Sequence, residues 1–294
     1  MATLVRISDP HPWLNTVEYP FLTQAHNAGD GWMSYVDEGR GRPIVFVHGS
    51  PLWSFCYRKL IKGLRNDYRC IAPDHLGFGL SDKPETADYS PIAHYRRLES
   101  LLDKLGVDDV TLVVHDYGGP IGLNWALQNP TRVREVVVMN TWLWSLHDDR
   151  VAKQLFKLFG HWLNRFYYRV LPASPGFFLP VLFADRHRVP RFTREQYLMP
   201  FVKQKERQGP YTAAEDLLRY SPWFEALWER RDELRRFRTQ FMWGMEDISL
   251  GEEALDRWTE ALPEARVVRL PRAARYVMDD APNRVLEEMR FFAS

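Results

Sequence analysis

Residues 110–120, Val-Thr-Leu-Val-Val-His-Asp-Tyr-Gly-Gly-Pro, are the stretch whose residue types and spacing promise chemistry. Val110, Leu112, Val113 and Val114 form the kind of apolar run that a parallel sheet buries on both faces. The run stops at His115-Asp116-Tyr117-Gly118-Gly119. Ile121, Gly122, Leu123, Trp125, Ala126 and Leu127 then predict a helix that ends before Asn129-Pro130. A strand that turns sharply into a helix, with glycines after the corner, can expose the corner side chain as a nucleophile. Here that side chain is the carboxylate of Asp116. An acidic residue is also a common helix cap, and both readings are open on this stretch alone.

Short strands are expected at residues 33–37, 44–47, 68–72 and 133–139, with helices over 55–64 and 92–105 between them. Strands alternating with helices at this spacing predict a parallel sheet wrapped by helices. The loops after the strands carry His48-Gly49-Ser50-Pro51 and Asp74-His75-Leu76-Gly77-Phe78-Gly79. From Leu143 to Ser221 the strand rhythm disappears. Aromatic-rich helical segments at 153–168 and 194–205 are expected there, punctuated by prolines. That predicts a helical cap of residues 143–221 inserted in a core of residues 1–142 and 222–294, covering the carboxyl ends of the strands above Asp116. The alternation resumes with strands at 240–243 and 266–270, a helix near 252–262, and a closing helix from Pro282.

The 294 residues, 45% hydrophobic and 14% aromatic, suffice for a large buried core. A formal charge of +1 argues against nucleic acid or an acidic partner. The run Arg230-Arg231 to Arg235-Arg236-Phe237-Arg238 is interleaved with Glu229, Asp232 and Glu233, which reads as a solvated helix with weak ion pairs. No apolar run approaches the ~20 residues of a membrane span, and residues 1–8 lack a signal peptide's apolar stretch. Cys56 and Cys70, without metal-ligand spacing, suggest buried thiols in a reducing compartment. The expectation is a soluble cytoplasmic protein that needs no metal or cofactor.

Together these loops resemble the haloalkane dehalogenase branch of the α/β-hydrolases, a subgroup overlapping the β-lactone decarboxylases of bacterial olefin synthesis. The resemblance spans nearly the whole chain. It rests on residues 48–51 with Trp53-Ser54-Phe55, on residues 74–84, on residues 115–119, on Asn140-Thr141-Trp142 and on Trp243-Gly244-Met245-Glu246-Asp247. It implies an α/β-hydrolase fold, a mostly parallel sheet flanked by helices with an inserted cap. It also implies an aspartate, Asp116, that attacks an electrophilic carbon of a small apolar substrate and forms an ester. Asp247 matches the acid that orients a histidine base. The backbone N–H groups of Trp53 and Tyr117 match the oxyanion hole.

The departures bear on the chemistry. The family's histidine position, in the loop 270–282, holds Arg275, and no histidine follows His187. A guanidinium does not give up a proton in proteins, so it cannot be a general base. His48 and His115 are expected to be structural, and His147, His161 and His187 lie in the expected cap. The leaving-group positions, where the family carries tryptophan and asparagine, hold Tyr117 and Ser50. The reading is therefore an enzyme acting on a strained or activated carbon, dehalogenase-like or lactone-type, with Arg275 acting by charge. Two rivals stand beside it: a binding protein with an impaired site, and an epoxide hydrolase using cap tyrosines among Tyr167, Tyr168, Tyr197 and Tyr211.

Overall fold

The computed structural model describes residues 11–147, 183–184 and 190–293. The expected helical segment 153–168 lies outside them, as do His161, His187, Tyr167 and Tyr168. The chain runs through β1 (Thr23–Asn27), β2 (Trp32–Glu38), β3 (Pro43–Val47), α1 (Arg58–Leu64), β4 (Arg69–Pro73), α2 (Pro91–Leu105), β5 (Val110–His115), α3 (Gly118–Gln128) and β6 (Val133–Met139). It continues with α4 (Arg191–Leu198), α5 (Gln208–Arg219), α6 (Ser221–Glu229), β7 (Arg238–Gly244), α7 (Glu252–Ala261), β8 (Arg266–Leu270), α8 (Val277–Asp280) and α9 (Pro282–Ala293).

The eight strands of the described residues form one sheet in the order β1-β2-β4-β3-β5-β6-β7-β8. Only β2 runs against its neighbours; the other pairs are parallel. Successive side chains of a strand point to opposite faces, and the core follows that alternation. Val45, Val47, Leu112 and Val114 join one apolar layer with Trp125 of α3. Ile44, Phe46 and Val113 join the other with Leu60 of α1 and Phe292 of α9. Both cysteines are free and buried, and they pack in that second layer.

β1 was not anticipated, because Thr-Gln-Ala-His-Asn lacks an apolar alternation; it is an edge strand held by β2 alone. The helix expected over 55–64 begins instead as a 3-10 turn, Ser54–Tyr57, before α1. α2 is punctuated by local chemistry. The Ser90 side chain accepts from the Ala93 N–H, Pro91 opens the first turn, and Gly106 closes the helix at φ 57°. The arginine-rich run forms a 3-10 turn, Arg231–Arg236, with Arg230–Glu233 and Arg235–Asp232 pairs at 2.8 and 3.2 Å. Helix α6 crosses the expected core–cap junction at residues 221/222. Among the described residues no helix is long and apolar enough to cross a membrane.

Candidate active site

Asp116 sits where β5 ends and α3 begins, with φ 48°. A non-glycine residue in this left-handed region is uncommon and strained, and it is tolerated where the surroundings fix it. The surroundings here are tight. A Cβ on Gly118 would strike the carbonyls of Val47 and His48, and one on Gly119 would strike Thr141 Oγ1. Thr141 O–H donates to the Asp116 carbonyl at 2.6 Å, and Gly119 N–H donates to the same oxygen at 2.9 Å. The corner is therefore clamped between β3 and the end of β6. Gly49 approaches so closely that a Cβ there would meet the Asp116 carboxylate. That approach delivers the Ser50 N–H to Asp116 Oδ2 at 3.0 Å.

The loop after β8 supplies Arg275. Its Nη1 donates to Asp116 Oδ1 at 2.5 Å, while Nε and Nη2 grip Asp247 Oδ2 and Oδ1 at 2.5 and 3.0 Å. Ser249 Oγ also bonds Nη2. All three charged groups are less than one-tenth exposed. Burial pulls the guanidinium's pKa down, but the charges of Asp247 and Asp116 outweigh it and the net shift is upward. Burial pushes the Asp247 carboxyl up, yet Arg275 and the N–H groups of Leu250 and Ser249 hold it down to about 2. The arginine stays charged and bridges two carboxylates.

Tertiary contacts fix this bridge. Asn140, at φ 25° after β6, donates from Nδ2 to Asp247 Oδ2 at 3.1 Å and to the Gly244 carbonyl at 3.0 Å. A Cβ on Gly244 would strike the Ala274 carbonyl, so the end of β7 lies hard against the Arg275 loop. Asp280 holds that loop by accepting from the Ala274 N–H at 2.9 Å. Burial raises its carboxyl to about 6. Asn140, Thr141 and Ser249 escaped assignment to roles. The available signal was an asparagine at a strand end, a residue type that tolerates φ > 0.

Neither flanking histidine stands where it can act as a base. His48 Nε2 accepts from the His75 N–H at 2.9 Å, which leaves Nδ1 to donate to the Gly49 carbonyl at 2.8 Å. Burial lowers its pKa to about 4. His115 Nε2 lies 2.9 Å from the Arg275 carbonyl, fixing the loop rather than facing Asp116. His147 is on the surface.

The remaining candidates divide. Ser50 is at the carboxylate, through its backbone. The donor expected from Trp53 is supplied by Ser50 instead, because Gly49 brings the next N–H of the loop against Asp116. Trp53 is buried, stacks on Phe55 at 5.3 Å and donates its indole N–H to the Gln196 carbonyl of α4. The Tyr117 hydroxyl turns to α5, 3.5 Å from Asp216 Oδ2. Tyr197 and Tyr211 donate their hydroxyls to Asp279 and Glu215. Among the described residues no cluster of His, Cys, Asp and Glu is arranged to hold a metal ion. A cleft of about 890 Å³ opens between β1, β2, the loop 79–85 and residues 199–206, but Asp116 is not among its walls.

An alpha/beta hydrolase fold family model matches residues 42–282, which includes the elbow and both carboxylates. The chain belongs to the α/β-hydrolase family. Within this family it is haloalkane dehalogenase-like. It is 31% identical to a cis-3-alkyl-4-alkyloxetan-2-one decarboxylase of Shewanella oneidensis, over 93% of this chain and 88% of the relative. It is 33% identical to haloalkane dehalogenase 2 of Mycobacterium tuberculosis, over 91% of this chain and 93% of the relative. The crystal structure of a haloalkane dehalogenase from Agrobacterium tumefaciens superposes with a TM-score of 0.83 at 22% identity, covering 92% of this chain and 96% of that one, a likeness of fold. These relatives are enzymes of the α/β-hydrolase family, and the chain is one too.

Proposed function

We propose that Asp116 opens the strained ring of an alkyl-substituted β-lactone, and that the reaction ends by fragmentation rather than by ester hydrolysis. The observation that carries this reading is Arg275, bound to both carboxylates in the position of the base. Hydrolysis of an aspartyl ester needs a group that takes a proton from water, and Arg275 cannot. Fragmentation needs none. An Asp116 oxygen bonds to the ring carbon that carries the lactone oxygen, that C–O bond breaks, and a β-acyloxy carboxylate remains. The C–C bond to this carboxylate then breaks and its electron pair becomes the C=C bond. Asp116 departs with the electrons of its own C–O bond. The products are an alkene, carbon dioxide and the free Asp116 carboxylate, and no water or proton is consumed.

Arg275 helps the second step, because a fixed cation hydrogen-bonded to Asp116 stabilises the carboxylate as it leaves. Asp247 and Ser249 hold the guanidinium in place, and the Ser50 N–H steadies the other Asp116 oxygen. Residues 143–221 form the cap in this reading. Trp142, Phe201 and Phe224 are buried in one apolar cluster, and an apolar environment of this kind favours alkyl chains. The substrate class is the one named for the Shewanella relative.

The test is turnover of a cis-dialkyl β-lactone in ¹⁸O-water. Alkene is expected as product, and the peptide carrying Asp116 should gain no ¹⁸O after many turnovers. A β-hydroxy acid product with ¹⁸O in Asp116 would mean that water attacks the ester, and would overturn the reading.

A further inference from the structure

Helix α5 carries an acid that the reaction described above does not use. Asp216 is 1% exposed, and its Oδ1 has no hydrogen-bond partner among the described residues. Its Oδ2 faces the hydroxyl of Tyr117 at 3.5 Å. No cation pairs with it among the described residues. A buried carboxylate without a counter-charge is costly, and such a group keeps its proton instead.

The charged and titratable groups around it do not reverse this. Arg219, on the same helix, favours the ionised form, but Glu215 and Asp88, the latter from the turn before α2, oppose it. Tyr117, whose ring lies 6.3 Å from that of buried His94, and Tyr220 complete the surroundings. Burial dominates and lifts the Asp216 carboxyl to about 7.

We infer that Asp216 is a positioning residue that sets the direction of the Tyr117 hydroxyl, and thereby whether the departing lactone oxygen receives a hydrogen bond. The inference rests on the lactone reading for its substrate and on the Tyr117–Asp216 geometry for its mechanism. A tyrosine hydroxyl has one proton to donate. When Asp216 is protonated, its O–H donates to Tyr117 Oη and the tyrosine proton is free for the substrate oxygen as the ring C–O bond breaks. When Asp216 is ionised, its carboxylate accepts the hydrogen bond of the Tyr117 O–H and the substrate loses its donor. The same carboxylate then sets a negative charge beside an oxygen that is becoming negative. The acid form of the pair is the active one.

The experiment follows kcat/KM for a cis-dialkyl β-lactone from pH 5.5 to 9 in the parent, Asp216→Asn and Tyr117→Phe. Carboxyl ¹³C NMR of aspartate-labelled protein runs alongside. The parent should lose activity about tenfold per pH unit above about 7. An asparagine amide donates to Tyr117 at every pH, so Asp216→Asn should show no such limb. At pH 8.5 it should exceed the parent by about thirtyfold, the inverse of the protonated fraction left 1.5 units above the midpoint. Tyr117→Phe should also lack the limb and be slower at pH 6. By NMR, one carboxyl should titrate near 7, vanish in Asp216→Asn and titrate higher in Tyr117→Phe, because the lost bond to the charged form is stronger than the one to the neutral form.

A flat parent profile, a limb that survives Asp216→Asn, or an Asp216 carboxyl titrating below pH 5 would overturn the inference. If Asp216→Asn folds poorly, the upward NMR shift in Tyr117→Phe identifies the carboxyl, and no shift overturns the coupling. Absence of lactone turnover at any pH together with the coupled titration would refute the substrate reading and support the pair.

Discussion

Replacing Arg275 with methionine keeps much of the side chain's apolar stem and removes the charge that joins two buried carboxylates. Asp247 loses two bonds to the guanidinium but keeps the N–H groups of Ser249 and Leu250 and the side chain of Asn140. Asp116 keeps the Ser50 N–H. Removing one partner of a buried ion pair costs about 3–5 kcal/mol, because the other charge stays buried and uncompensated. Two carboxylates remain here, so the upper part of that range is expected where both are ionised.

The pH dependence gives this prediction its sign. In the parent, the Asp247 carboxyl is held down to about 2 from an ordinary 3.8. That lowered pKa stabilises the fold above the ordinary carboxylate range, and the contribution is lost as pH falls toward 2. In Arg275→Met the two acids are like charges in one buried site, and such a pair holds a shared proton to higher pH. Its contribution is then lost as pH rises, so the deficit of the variant grows from pH 5 to pH 8. Urea denaturation of the parent, Arg275→Met and Arg275→Met/Asp116→Asn at pH 5, 6.5 and 8 measures this. The double variant should recover part of the loss at pH 8, since one of the unpaired charges is gone. A loss below about 1 kcal/mol at pH 8, or one that does not change with pH, would refute the account of Arg275 as the counter-charge of this site.

Three further outcomes are expected. A reactive haloalkane should label the parent once on Asp116 and stall, whereas Arg275→His should release alcohol over many turnovers; intact-mass and product measurements decide it, and a label that persists on the histidine variant would argue against the missing-base account. Asp116→Asn should abolish both labelling and lactone consumption, and a label retained on another residue would sink the nucleophile assignment. Gly49→Ala should cost about 1–3 kcal/mol in urea denaturation and most of the activity, because its methyl group occupies the space of the Asp116 carboxylate; unchanged stability and rate would show that the loop can give way.

Much of this molecule was legible along the chain because the signals are local. The apolar runs of β3, β5 and β6, the change of period into α3, and the glycines after Asp116 each reflect preferences expressed within a few residues. The fold class followed from their alternation, and the expectation that the usual base is missing came from Arg275, which stands where the resembling family has a histidine. What Arg275 does was not legible. Its bond to Asp116 joins residues 159 apart in sequence, and the contact of Tyr117 with Asp216 spans 99. Both exist only because the strand order sets the ends of β5, β6, β7 and β8 side by side and lays α5 over the elbow. The Trp53 donor was what the family resemblance implied, but the close approach of Gly49 to Asp116 puts the Ser50 N–H at that carboxylate. Side-chain type and spacing determine which groups are available for chemistry. Packing across the sheet decides which of them touch, and that depends on the whole chain at once.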